Sequence, residues 1–306
     1  MLRRLAVTLT LLALLHSAAW YGVTLYIERF AAGWIAAQGG QVQHGPTSRT
    51  GWPFTAAVTY TQARIATGPL RWQAEALTLR WQPWDPAGFA LEPSGAQRIT
   101  TPAVQAAYTA RHAALFLPFT PEGETRLSIT ELASPGITLG KLDATLRDTT
   151  LTARLAALEL PGQPIPRIAT AALDGSMAAM PAGNDPLRRW AAWRDAGGRV
   201  NLTDLTLRTT DARASLSGSA TLDAAMRPAG DGTLVLQNAP AAIDAGVAAG
   251  LLPRSLATPA RLLATVMARP VPDGGAPVVT LPVQGRDGRL TVGGLAVARI
   301  PPLAAP

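Results

Sequence analysis

Cysteine is absent from all 306 residues, which excludes disulfides, thiol nucleophiles and cysteine-ligated metals. Lysine is almost absent: Lys141 is the only one, and the arginines are dispersed, so the formal net charge of +7 forms no basic run interleaved with aromatics. No nucleic-acid partner is expected. The excess reads as an Arg-over-Lys bias on a solvated surface, with a general attraction to acidic lipid headgroups left open. Histidine is scarce too. His16 lies inside an apolar N-terminal stretch and reads as a tolerated neutral residue. His44 sits in a polar turn beside Gly45-Pro46 and His112 among alanines; no two have metal-ligand spacing. No Gly-x-Ser-x-Gly elbow occurs, and Ser217-Gly218-Ser219 lies inside an alternating run. No glycine-rich loop carries the Lys-Ser/Thr of a phosphate site. Asp231, Asp273 and Asp287 each adjoin glycine, where turn formation accounts for them. No catalytic, cofactor-binding or metal residue is assigned, no cofactor is expected, and the chain is not expected to be an enzyme.

What the chain does have is apolar material. Hydrophobic residues make up 48% of it against 15% charged, enough for a sizeable core and unlike a disordered polar chain. Its 28 Gly and 26 Pro are scattered between short apolar runs, which suits many turns and short strands.

The longest apolar run comes first. Residues 1–4, with Arg3 and Arg4, form a short cytoplasmic start. Residues 5–27 follow as a transmembrane anchor, whose 23 residues at the helical rise of about 1.5 Å cover a hydrocarbon layer of about 30 Å. Trp20, Tyr21 and Tyr26 lie towards the far boundary, marked by Glu28 and Arg29, and the two leading arginines keep the N-terminus inside. A cleavable signal peptide, with Ser17-Ala18-Ala19 as its cleavage site, is the competing reading. Residues 28–40 continue the helix as an amphipathic extension through Phe30, Trp34 and Ile35 to about Gln38, ended by Gly39-Gly40.

Residues 41–306 form an exported, β-rich body, with a possible division into two halves near 180–198. Leu77, Leu79 and Trp81 share one strand face with Thr78 and Arg80 opposite. The same period of two recurs at Leu127/Ile129, Ile137/Leu139, Leu142/Ala144/Leu146, Leu151/Ala153/Leu155, Leu205/Leu207, Leu216/Gly218/Ala220/Leu222, Leu234/Leu236, Val279/Leu281/Val283, Leu290/Val292 and Leu295/Val297. Turns are expected at Pro135-Gly136, Gly230-Asp231-Gly232, Asp273-Gly274-Gly275 and Asp287-Gly288. The fold class is therefore mainly β with few helices: an antiparallel meander forming an open groove, half-barrel or sandwich. One helix is expected over 187–195, capped by Asn184-Asp185-Pro186, carrying Trp190 and Trp193 as packing anchors and stopping at Gly197-Gly198. A second is expected over 241–251, with Ile243, Val247 and Leu251 on one side. The alanine-rich stretch 101–121 reads equally as strand or helix. Small apolar residues on the strand faces suit close packing or a groove for acyl chains.

Gly51-Trp52-Pro53-Phe54 and Leu77-Thr78-Leu79-Arg80-Trp81-Gln82-Pro83-Trp84 resemble motifs of the uncharacterised proteobacterial domain-of-unknown-function family 2125, as do Trp190 with Gly197-Gly198-Arg199-Val200-Asn201-Leu202 and the hairpin from Leu281 to Gly294. The resemblance spans almost the whole chain, implies an N-terminal span followed by a β-rich envelope domain, and supplies no catalytic residues. AsmA-like envelope proteins are more distantly similar in their anchor and Asp-Gly-x-Leu hairpins, and imply lipid traffic by analogy alone. The expectation is a single-pass inner-membrane protein with a periplasmic body that binds a lipid or other apolar ligand. The alternatives are a scaffold joining an envelope protein partner through exposed sheet edges and, more remotely, an envelope hydrolase.

Overall fold

A computed structural model describes residues 2–101, 105–120, 122–179, 186–271 and 275–303. The chain divides into two compact units, Met1–Pro135 and Gly136–Pro306. The stretch 180–198 lies within the second.

Unit 1 opens with α1 (Leu2–Ala37), which ends where Gly39 and Gly40 take positive φ, a conformation that terminates helices cheaply only at glycine. Seven strands follow: β1 (Val42–Gln43), β2 (Thr47–Thr50), β3 (Ala56–Thr67), β4 (Leu70–Gln82), β5 (Asp85–Thr100), β6 (Gln105–Pro118) and β7 (Thr125–Ser134). The long strands pair in chain order from β3 to β7, and β1 and β2 pair with the two ends of β3. Every pairing given for this unit is antiparallel, and none among the described residues closes β7 back onto β3. The sheet is open, not a barrel. The alanine-rich stretch becomes β6, because its partners on both sides, Phe89–Leu91 and Leu127–Ile129, offer it two ladders.

One sheet face packs on the C-terminal half of α1. Ile27 and Ala31 are buried against Ala56, Val58, Tyr60 and Leu79, with Trp20, Val23 and Ile35 partly buried around them. The N-terminal half of the same helix is bare: Leu5, Leu9, Leu12 and Leu15 are all exposed.

Unit 2 is a second antiparallel meander. Its strands are β8 (Ile137–Arg147), β9 (Thr150–Glu159), β10 (Ile168–Met177), β11 (Val200–Arg208), β12 (Arg213–Leu222), β13 (Pro228–Gln237), β14 (Val278–Arg286), β15 (Arg289–Val292) and β16 (Leu295–Arg299). They pair in sequence order. Helix α2 (Pro186–Asp195) falls between β10 and β11. Helices α3 (Ala239–Ala248) and α4 (Arg254–Met267) fall between β13 and β14 and cover them, burying Ala239, Ile243, Ala257 and Ala264 against Leu236, Val279 and Leu281.

Three expectations change. The helix expected at 241–251 runs over Ala239–Ala248, starting after Asn238 in the left-handed conformation. Helix α4 has no counterpart in the sequence reading. Gly230-Asp231-Gly232 is not a turn but lies within β13, with Gly232 opposite Gly218 of β12. A Cβ on Gly230 would stand 2.1 Å from the Ser219 carbonyl oxygen, so these glycines serve close strand approach. The turn at Asp287-Gly288 forms as expected, with both residues at positive φ. Asp273-Gly274 and the Asn184-Asp185 cap lie outside the described residues.

Candidate functional site

The site is an apolar groove in unit 1, and its walls follow from two periodicities. On α1, Tyr26, Phe30 and Trp34 recur every four residues and so line one side of the helix. On the sheet, Leu77, Leu79 and Trp81 alternate on β4 as the sequence predicts, with Thr78 turned away to meet Thr59 hydroxyl to hydroxyl at 3.0 Å. Ala31 and Ala56 let helix and sheet close together near Val58. Beyond that contact the aromatic side chains hold them apart, leaving a cavity of about 790 Å³ floored by Tyr60, Ala63 and Ile65 of β3, Leu77 and Leu79 of β4, and Phe89 and Leu91 of β5.

Two smaller cavities continue it. One of about 210 Å³ shares Tyr26, Phe30, Leu79, Phe89 and Phe119 with the first and adds Val23, Ile27 and Trp81. Another of about 390 Å³ shares Ile65, Leu77 and Leu91 and runs on over β5–β7 past Ile99, Leu127 and Ile129. Trp72 and Tyr108 also line it, with the Trp72 indole N–H donating to the Tyr108 hydroxyl at 2.9 Å. Shared side chains make the three cavities one lane along one sheet face. Its size suits a ligand, since small-molecule sites occupy about 300–1,000 Å³.

The floor depends on a phase change that period-two counting misses. Gln62 has φ 50° and drops out of the β3–β4 ladder opposite Glu75, between the pairs Thr61↔Ala76 and Ala63↔Ala74. Tyr60 and Ala63, three residues apart, thereby face the same side.

Few polar groups lie along the lane, and two of them have no partner among the described residues. The Tyr60 hydroxyl is buried without a hydrogen bond, and Tyr60 as a whole is 5% exposed. Burial, reinforced by the negative charge of Glu28, pushes its pKa up to about 12. The Gln97 side-chain amide nitrogen, on the 390 Å³ stretch, is likewise buried and unpartnered. Buried polar groups are rarely left unsatisfied, because each costs about 1–3 kcal/mol.

The histidines fall in separate places. His44, read from sequence as a turn residue, lines the main cavity with its ring edge-on to Tyr60 at 4.8 Å. His16, which reads from sequence as a tolerated neutral residue, has a partner: its Nε2–H donates to the Pro53 carbonyl at 2.6 Å. His112 is exposed on β6. Among the described residues no three His, Asp or Glu side chains come together as a metal site. Trp193 packs as the sequence predicts: it is 2% exposed, and its indole N–H donates to the Ala178 carbonyl at 2.9 Å. From sequence, Tyr26, Phe30 and Trp34 fall in a helix, with nothing local to show that a sheet faces them. The signal was the spacing of aromatics continuing past Glu28, where a plain membrane span would have ended.

A model of the family described as an uncharacterized protein conserved in bacteria (DUF2125) matches residues 20–301. No curated protein and no solved structure matches the chain, and the AsmA-like resemblance has no counterpart among these findings.

Proposed function

Starting from a chain that belongs to the bacterial family DUF2125, we propose that it is a membrane-anchored envelope protein that holds a lipid or another long apolar ligand in the groove of unit 1. The observation that carries this reading is the continuous apolar lane between α1 and the sheet, about 790 Å³ in its main part. A lane lined by Phe30, Trp34, Leu77, Leu79 and Leu91 recognises little but hydrocarbon, and each methylene it removes from water contributes about 0.8 kcal/mol.

The anchoring half of the proposal rests on α1. Its stretch from Arg3 onward is the one described helix long and apolar enough to cross a membrane. Arg3 and Arg4 favour an N-terminus in the cytoplasm and a body in the periplasm. Because α1 also walls the groove, the ligand is held against the same helix that holds the protein to the bilayer.

The test uses the full chain, purified in a mild detergent and analysed by mass spectrometry for lipid that survives washing. Lipid at a fixed ratio to protein is expected. Leu77 sits where the main cavity meets its 390 Å³ extension, so Leu77→Trp is expected to lower that ratio with little change in melting temperature. Wild-type protein recovered free of lipid, or an unchanged ratio in a folded Leu77→Trp variant, would refute the proposal.

A further inference from the structure

Outside α1, four large aromatic side chains of unit 1 stand in solvent: Trp52 is 57% exposed, Phe54 72%, Trp84 65% and Phe119 53%. Strand register gathers them at one end of the sheet. Ala56, just after Trp52 and Phe54, pairs with Trp81, and Gln82 with Asp85 across the turn that carries Trp84. Gly88 pairs with Pro118, the residue before Phe119. An ion pair between Arg126 and Asp85 ties the start of β7 to the same end. Solvent-exposed aromatics are expensive in water, and four at one end need an apolar neighbour.

The geometry of α1 says which neighbour. The loop 51–55 is fastened to the helix at a definite height: His16 bonds the Pro53 carbonyl, the Trp52 indole N–H donates to the Ser17 hydroxyl at 3.2 Å, and the Trp20 indole N–H donates to the Thr55 carbonyl at 2.6 Å. Beyond that height, towards the N-terminus, the helix has only bare leucines and other small or apolar residues up to Arg4. From Arg3 to the fastening residues His16–Trp20 the helix rises roughly 20–26 Å, most of a hydrocarbon layer of about 30 Å. The exposed aromatics therefore lie level with the point where such a span would leave the hydrocarbon, the depth at which Trp and other amphipathic rings concentrate.

We propose that the end of unit 1 bearing Trp52, Phe54, Trp84 and Phe119 is seated in the interfacial layer of a lipid bilayer, so that the groove opens onto the membrane. The inference rests on the reading of α1 as a membrane anchor and goes beyond it in giving the folded domain its own contact with lipid. Phe119 and Phe89 line both the main cavity and its 210 Å³ neighbour, and Val23 and Trp81 line the latter. The lane thus reaches the seated end, and an acyl chain passes between bilayer and groove without crossing water. The seat is shallow, because Glu122 and Glu124 share the connection with Phe119 and stay in the headgroup layer. On this geometry the membrane span ends near Trp20, and Val23, Ile27 and Ala31 belong to the domain.

The absence of cysteine makes the test direct. Trp52→Cys, Phe54→Cys, Trp84→Cys and Phe119→Cys are each labelled with an environment-sensitive fluorophore, with Thr67→Cys at the opposite end of β3 as reference. The full chain is reconstituted into phosphatidylcholine vesicles containing a lipid with a headgroup-proximal nitroxide quencher; the neutral lipid removes any contribution from net charge. The labels at the four aromatic positions are expected to shift to the blue and lose emission to the quencher, and the Thr67→Cys label to do neither. In the unaltered chain, amide exchange over 51–55 is expected to be slower in vesicles than in detergent. Labels at those four positions that behave like the reference, with no slowing of exchange, overturn the inference. If the protein nevertheless resists extraction by alkaline carbonate, the anchor survives and only the seating is lost; a chain that washes off the vesicles removes both.

Discussion

The hydroxyl of Tyr60 is buried with no hydrogen-bond partner among the described residues, so the ligand-free protein bears an uncompensated polar group beside its main cavity. Tyr60→Phe removes that group and keeps the ring against His44, and is expected to raise the stability of ligand-free protein by about 1 kcal/mol, read from a denaturant midpoint. No gain in stability would mean that the hydroxyl finds a partner in solution. The pKa, raised from 10.0 to about 12, adds a pH signature. The fold prefers the protonated phenol, so Tyr60's contribution is complete below pH 10 and is lost as the pH rises through about 12. That part of the alkaline loss in melting temperature should be missing from Tyr60→Phe. None of this was legible in the sequence. His44 and Tyr60 meet because β1 and β2 fold back along β3, and Ala63 joins them only through the positive φ of Gln62. Leu77, Leu79 and Trp81 were legible, since one uninterrupted alternation places them.

At the scale of elements, the stop of α2 shows what a local motif can and cannot reveal. Gly197-Gly198 announces a helix end, and the two glycines do different things there. Gly197 takes φ 76° with open space around its Cβ position, whereas a Cβ on Gly198 would lie 2.2 Å from the Trp193 ring. Gly198→Ala is therefore expected to cost about 1–3 kcal/mol by overpacking, against about 1 kcal/mol for the purely conformational Gly197→Ala. Equal losses in the two denaturation midpoints would show that Trp193 yields. Helix α4 escaped the sequence reading because Pro253 stands before it and Pro259 inside it, both of which read as breaks. Burial of Ala257 and Ala264 against the strands below offsets the lost backbone bond. Likewise Gly230-Asp231-Gly232 has turn composition, and only its neighbour Gly218 across the ladder makes it strand.

Across the whole molecule, α1 is one helix with two surroundings. Deletion of residues 2–19 should leave unit 1 folded, because every α1 residue buried in the core lies beyond that point, and should make it extractable from membranes by alkaline carbonate. Deletion of residues 2–37 uncovers Val58, Tyr60 and Leu79 together and should abolish the cooperative melting of unit 1; a normal thermal transition in that shorter form would contradict the role given to the helix. The sequence by itself determined the membrane-compatible apolar start, the β class, the antiparallel order and the absence of cysteine chemistry, since each follows from composition or from periodicities confined to neighbouring residues. The tertiary structure alone decided that the aromatic half of α1 faces the sheet, that a groove remains between them, and that Trp52, Phe54, Trp84 and Phe119 share one end. Those facts depend on which residues distant in the chain become adjacent, and a periodicity shows which face is apolar without showing what will cover it.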